Sequence, residues 1–354
     1  MRRVSLASLA QDGQRGCGIG YNGVEMKETI KPRVAVITRT KDRGVLLERA
    51  IKSVHGQTLQ DYIHVIINDS GDKEVVDSLV RKYEKIIKGR VKVIHNSVSH
   101  GMEAASNRAI KSVDSEFVAI HDDDDSWHPR FLEVLVDHMT KTDAMGAIAR
   151  TERIYESVAG DTVKLLDRDE YMPHLSHLAL YDLFAENFAV PISFMYRRSA
   201  YKKIGYYSED LRVTGDWDFA LRFMRQYDVD KVDPGYALAF YHIRPHDSGV
   251  MSNSIYDQKN AHIQYHTMLA NRFLREDLDK GALGFGYLFN VGNAERARGW
   301  EIDEMRRTIT ELSAKLDAQS QLIATSRWNL QRVKMAAKEK LKGLAKKIKA
   351  KVKR

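Results

Sequence analysis

The chain has 354 residues, 43% of them hydrophobic, with a formal net charge of +8 and one cysteine. That length holds one large domain with an ample core plus an appendage. The lone cysteine excludes an internal disulfide framework and fits a reducing compartment, and no apolar run approaches the roughly 20 residues needed to span a bilayer.

Residues 1–31 are glycine-rich and weakly patterned at their start and read as disordered. Two arginines open the chain but no hydrophobic region follows them, so the start does not read as a signal peptide, and Met26 stands as an alternative start. Arg33 to Thr38 then reads as a buried strand, and Val45 to Gln57 carries apolar residues at helical spacing. Tyr62 to Ile67 is a second strand, Lys73 to Ile87 a helix, and Val91 to Ile94 a third strand. A helix starting at Gly101 runs to Val113, and Phe117 to Ile120 is the fourth strand. Strands and helices alternating at these lengths call for right-handed crossovers and a parallel sheet, in which ligands collect beyond the strand carboxyl ends.

Four aspartates, Asp122 to Asp125, follow that fourth strand directly. Packed carboxylates repel and raise one another's pKa, so the run is costly unless solvent or a cation neutralises it. Hard oxygen ligands suit Mg²⁺ or Mn²⁺, which in turn suit a diphosphate; the bland alternative is a solvated acidic turn. An EF-hand does not fit, because its glycine and distant glutamate are missing, and Arg39 to Arg43 stands where a dinucleotide fingerprint would follow the first strand. His174 and His177 offer too few ligands for a zinc site.

The later half is mixed. Ala144 to Tyr155, Val190 to Arg197 and Tyr236 to Arg244 read as strands, with a helix from Gly215 to Tyr227. Taken from the residues alone, Asp216 reads as an N-terminal helix cap, His242 as a packed strand histidine, and Trp127 and Trp217 as core aromatics or sugar platforms.

Three blocks carry a family resemblance: VAVITRTKDRGVLLERAIKSVHGQTLQDYIHVIINDSGD, SHGMEAASNRAIKSVDSEFVAIHDDDDSWHPRFLE and VTGDWDFALRF. In this order and spacing, from Pro32 to Ser252, they resemble glycosyltransferase family 2. The resemblance implies a GT-A α/β fold with a mixed central sheet flanked by helices, and an inverting transfer from a nucleotide-diphosphate sugar with Mn²⁺ or Mg²⁺ on the diphosphate. It implies that Asp69 contacts the donor base, Thr38 and Asp42 line the nucleotide, and Asp122 and Asp123 bind the donor. Asp124, with Asp122, becomes the metal ligand and Asp216 the general base. It further suggests that the loop after the last strand closes over the diphosphate, bringing His246 as an extra metal ligand and Arg244 as a phosphate contact.

On this reading residues 32–255 form the transferase domain, with a nucleotide-binding half over 32–130 and an acceptor half over 131–255, and 256–298 form a helical connection. Ile302, Met305, Ile309, Leu312, Leu316, Gln319, Ile323, Ser326, Leu330 and Val333 alternate spacings of three and four, a heptad seam that predicts a coiled coil over 299–333 and a homo-oligomer. Residues 334–354 hold nine lysines and one arginine against Glu339, a charge of +9, so the rest of the chain sums to −1 (8 − 9). With Leu341, Leu344 and Ile348 on one face, this segment predicts a basic amphipathic helix on an anionic membrane. Nucleic acid is the disfavoured partner, since no aromatics interleave the lysines.

The sequence therefore predicts a glycosyltransferase acting on a saccharide or lipid-linked saccharide acceptor in cell-surface polysaccharide assembly. Its expected location is the cytoplasm, peripheral to the inner face of the membrane. A nucleotidyltransferase is the alternative enzyme, but no glycine-rich phosphate loop opens the chain. A scaffold binding membrane or nucleic acid and carrying an inactive transferase domain is the alternative without chemistry.

Overall fold

The computed structural model describes residues 31–352 apart from 161, 248, 254, 256 and 257. The N-terminal segment expected to be disordered, up to residue 30, and the alternative start at Met26 lie outside the described residues. The chain divides into two compact units, the first ending at Leu269 and the second beginning at Ala270.

The first unit opens with β1 (Val34–Thr40), α1 (Gly44–His55), β2 (Tyr62–Asp69), α2 (Lys73–Lys82), α3 (Glu84–Ile87), β3 (Val91–Asn96), α4 (Met102–Lys111) and β4 (Phe117–Ile120). It continues through β5 (Ser126–Trp127), α5 (Phe131–Thr142), β6 (Gly146–Ala149), β7 (Thr151–Ala159), β8 (Thr162–Glu170), α6 (Leu180–Ala185), β9 (Phe194–Arg197) and α7 (Tyr201–Ile204). α8 (Gly215–Met224), β10 (Val229–Val232) and β11 (Ala239–Ile243) complete its sheets.

A seven-stranded sheet runs β10-β6-β9-β4-β1-β2-β3, and a four-stranded sheet runs β5-β11-β7-β8. β1 lies parallel to both β2 and β4, with helices on the faces, so Val34, Val36 and Ile37 of β1 and all of β4 are buried. Double-sided burial is why these strands read as continuous apolar runs without alternation. α1 covers them with Leu46, Leu47, Ala50, Ile51 and Val54, and Asp72 caps α2 by accepting the Glu74 amide at 2.9 Å.

Three expectations change. Ala144 to Tyr155 is two strands, β6 in the large sheet and β7 in the small one, because the chain changes sheets at Arg150, whose amide and carbonyl bond Val232 and Leu238 at 2.9 Å each. Pro191–Ser193 is a 3₁₀ turn, so the strand expected from Val190 starts only at Phe194; proline lacks the amide a ladder needs. The helix expected from Lys73 to Ile87 breaks at Tyr83 into α2 and α3. β8 went unrecognised in the sequence, since it is an edge strand exposed along most of its length and has no buried face to impose alternation.

α9 (Lys259–Asp279) spans the division between the units. In the second unit α10 is one uninterrupted helix, Phe285–Val352. Its seam residues Ile302, Met305, Ile309, Leu312, Leu316, Ile323, Leu330 and Val333 are exposed. Among the described residues no helix is long and apolar enough to cross a membrane.

Candidate active site

The carboxyl ends of β1, β2 and β4 fall together, as the parallel register requires. Beyond β4 the chain turns through the aspartate run, closed by the Asp125 amide on the Asp122 carbonyl at 3.2 Å. The four side chains then part company. Asp122 Oδ1 accepts from Nε of Arg39 at 3.0 Å and from its Nη2. Asp123 accepts from Arg43 Nη1 at 3.2 Å, while its Oδ2 is buried with no hydrogen-bond partner among the described residues. Asp124 Oδ2 accepts from Arg244 Nη2, from Arg43 Nη1 at 3.3 Å and from Asn253 Nδ2 at 3.3 Å. Asp125 turns inward and accepts the His242 amide at 2.8 Å.

Guanidinium groups thus meet the charge of the run from residues far away in sequence: Arg39 near the end of β1, Arg43 in the loop after it, Arg49 in α1, and Arg244 after β11. The compensation is uneven. Burial would raise Asp124, but Arg244 and Arg43 outweigh it and hold its carboxyl below the usual range. Burial wins at Asp123, which rises to about 6 against the pull of Arg43. Asp125 is pushed well up by burial and by the charges of Asp124 and Asp122.

Behind Asp124 stands Glu156 of β7, 2% exposed. It accepts from Arg49 Nη1 at 2.7 Å, from Arg244 Nη1 at 3.0 Å and from His242 Nδ1 at 2.8 Å. Burial opposes ionisation of Glu156, yet the bonds from His242 and Arg49 bring it down to about 2. Arg244 is fully buried and also donates Nε to the Met251 carbonyl at 2.6 Å, while Asn253 accepts the Arg244 amide at 2.7 Å. The loop after β11 is therefore latched onto the aspartate run.

Asp216 lies in the first turn of α8. Thr214 takes the cap position with φ 65°, and Asp216 accepts from Asn187 Nδ2 at 3.0 Å. Burial raises the Asp216 carboxyl, the Trp217 amide and Arg39 oppose, and Asp122 adds to the rise. Asp216 and the aspartate run are thus electrostatic neighbours, although 92 residues separate Asp216 from Asp124 (216 − 124). The arrangement puts a cluster of carboxylates beyond β4 near a buried carboxylate of raised proton affinity in α8, the kind of pairing that marks a candidate active site.

The sequence profile of glycosyl transferase family 2 matches residues 35–205. That segment, a little under half of the chain, is a glycosyl transferase family 2 domain. Its relatives include an uncharacterized glycosyltransferase of Bacillus subtilis, YwdF, 25% identical over 201 residues, covering 56% of this chain and 71% of the relative. A GalNAc(5)-diNAcBac-PP-undecaprenol beta-1,3-glucosyltransferase of Campylobacter jejuni is 34% identical over 95 residues, 27% of this chain and 30% of the relative. Among solved structures, S. aureus TarS 1-349 in complex with UDP aligns with TM-score 0.47 and 18% identity, covering 60% of this chain and 61% of that one. The sheet order and the profile match give the chain the family's GT-A architecture.

Within this family 2 domain, Asp69 is buried at the end of β2 and accepts from Ser99 Oγ at 2.6 Å, Asn96 Nδ2 at 2.7 Å, and the amides of His100 and Gly101 at 3.2 Å each. Burial works against ionisation there, but these bonds prevail and keep the carboxyl low. Asp42, at φ 56°, accepts the Asp72 amide at 2.8 Å and so pins the loop after β1 to the turn after β2. The Thr38 hydroxyl faces inward, 2.9 Å from His64 Nε2. His246 is exposed on the loop after β11, and among the described residues no group of three or more His, Cys, Asp or Glu is arranged to hold a metal ion. Trp127 is core, stacked on Phe131 at 4.1 Å and donating to the Ile192 carbonyl at 2.7 Å. Trp217 ties α8 to α6 through the Leu183 carbonyl at 2.6 Å. Glu156, Arg39, Arg49 and Asn253 went unnoticed in the sequence, because nothing in their own surroundings marks a buried charge.

Proposed function

We propose that this protein transfers a sugar from a nucleotide-diphosphate donor to a hydroxyl of a saccharide acceptor, inverting the anomeric centre. The observation that carries the reading is the buried Asp216 carboxyl under the electrostatic influence of Arg39 and Asp122, which supports a base on the acceptor side across from the donor-side carboxylates. As the acceptor oxygen bonds the anomeric carbon, the bond to the diphosphate breaks and Asp216 takes the hydroxyl proton; burial supplies the required proton affinity. Asn187 orients the accepting oxygen. Asp69 and Asp42 would line the nucleotide base and ribose from the β1 and β2 ends, with Thr38 shaping the floor beneath them. Asp123 would flank the diphosphate, while Arg244, fully buried against Asp124 and Glu156, would act on it through the charge it holds on Asp124 rather than as a direct phosphate contact.

The carboxylates fit a divalent ion, Mn²⁺ or Mg²⁺, shared with the substrate more readily than one caged by protein. Asp122 meets Arg39 through Oδ1, and Asp124 meets its arginines through Oδ2, so each carboxylate keeps a second oxygen for an ion whose remaining ligands are diphosphate and water. Asp124 and Asp122 would hold it, with His246 if the loop approaches. When bound, the ion neutralises charge on the departing diphosphate. The name of the Campylobacter relative, a glucosyltransferase acting on a diphosphate-undecaprenol-linked saccharide, supports a lipid-linked saccharide as acceptor. The exposed seam of α10 supports a second copy as its partner, and its basic end supports an anionic surface. Screening nucleotide-sugars for transfer and thermal stabilisation, with and without Mn²⁺, tests the reading; failure of every donor to bind or react would overturn it.

A further inference from the structure

Glu103, the second residue of α4, is a buried carboxylate of this site to which the transfer chemistry gives no task. It is 3% exposed and sits between two functional groups. On one side Arg39 Nη1 reaches Glu103 Oε2 at 3.4 Å while the same guanidinium holds Asp122. On the other side the carboxyl presses on the backbone of Gly215: a Cβ added there would lie 2.4 Å from Oε1, 2.5 Å from Cδ and 2.6 Å from Cγ. Gly215 has no positive φ, and a side chain there would need Glu103 to shift from its place. Glu103 is thereby fixed against the residue preceding Asp216.

We propose that Glu103, wedged between the Arg39 guanidinium and the Gly215 backbone, is a positioning residue that sets the basicity of Asp216 and so the pH range over which transfer runs. The inference rests on Asp216 being the base. The charged and titratable groups facing Glu103 are Arg39 from β1, Asp122 beyond β4, Asp216 and Asp218 of α8, and Tyr207. Burial moves Glu103 up to about 8, with Arg39 opposing and Asp216, Asp122 and Asp218 adding to the rise. At neutral pH Glu103 is therefore largely uncharged and adds no further negative charge beside Asp216. Above that range Glu103 ionises and places a second charge beside the base. Two interacting carboxylates titrate as a pair, so removing either charge must move the other's titration downward.

The test is a carbon-13 NMR titration of glutamate-labelled full-length protein, wild type and Asp216→Asn, with kcat measured against pH for wild type and Glu103→Gln. One glutamate carboxyl should titrate near 8 in the wild type, and by about one unit lower in Asp216→Asn. The kcat profile should inflect in the same range, and Glu103→Gln should lose that inflection with donor KM following no such step. Gly215→Ala should displace the Glu103 titration as well, since its methyl group needs the same space. A wild type with no glutamate titrating above 7, or one whose titration ignores Asp216→Asn, overturns the proposal even if Glu103→Gln does not fold. An inflection that persists in Glu103→Gln also overturns it. If Asp216→Asn instead keeps wild-type transfer, the base assignment itself fails, which is a separate result.

Discussion

Replacing Glu156 by glutamine keeps the shape of a side chain 2% exposed while removing the negative charge that Arg49, Arg244 and His242 share. The glutamate is brought from 4.5 to about 2 in the folded protein, with burial opposing and the His242 and Arg49 bonds prevailing. A depression of about 2.5 units corresponds to about 3 kcal/mol of stability at neutral pH, at about 1.36 kcal/mol per unit. Because the folded value is the lower one, this contribution is complete well above 4.5 and drains away as pH falls through the interval down to about 2. By linkage, about 1.4 kcal/mol of the difference between wild type and Glu156→Gln should already be gone at about pH 3.5, one unit below the unfolded value. Denaturant unfolding followed by circular dichroism, at neutral pH and at about pH 3.5, measures both quantities. A destabilisation below about 1 kcal/mol at neutral pH, or one that does not shrink in acid, would refute the claim that the buried ion cluster behind Asp124 holds the site together.

Three further outcomes follow from the site and the tail. Asp216→Asn keeps an oxygen for the Asn187 bond, so unfolding should change little while transfer falls by about two or more orders of magnitude; wild-type rates in a coupled diphosphate-release assay would return Asp216 to a structural role. Asp124→Asn should weaken nucleotide-diphosphate binding and abolish metal-dependent turnover, read by calorimetry with and without EDTA; undiminished turnover in EDTA would sink the metal assignment. Removing Lys338 to Arg354 takes away a charge of +8 (nine cations less Glu339) and should abolish cosedimentation with anionic vesicles, each lysine contributing about 1 kcal/mol. The same truncation leaves the seam through Val333 intact, so light scattering should report the same oligomer; equal vesicle binding before and after the cut would make the tail an ordinary solvated helix.

The amino-acid sequence by itself determined the order of strands and helices through β4, because central parallel strands buried on both faces must be apolar throughout and the aspartates must then fall at a carboxyl end. It also determined that Asp216 begins a helix, from the apolar spacing of Phe219 and Phe223 behind it. What only the tertiary structure decided is how the charges are compensated. Asp124 is held by Arg43 and Arg244, 81 and 120 residues away, and Glu156 is buried on a strand whose other residues are largely only partly so. Glu103 sits in a helix with the composition of a solvated face, yet its carboxyl lies against Gly215. A carboxylate's neighbours in sequence say whether water is near the chain locally; they carry no information about which distant guanidinium or backbone the fold brings to its oxygens, and that distance sets both its charge and its use.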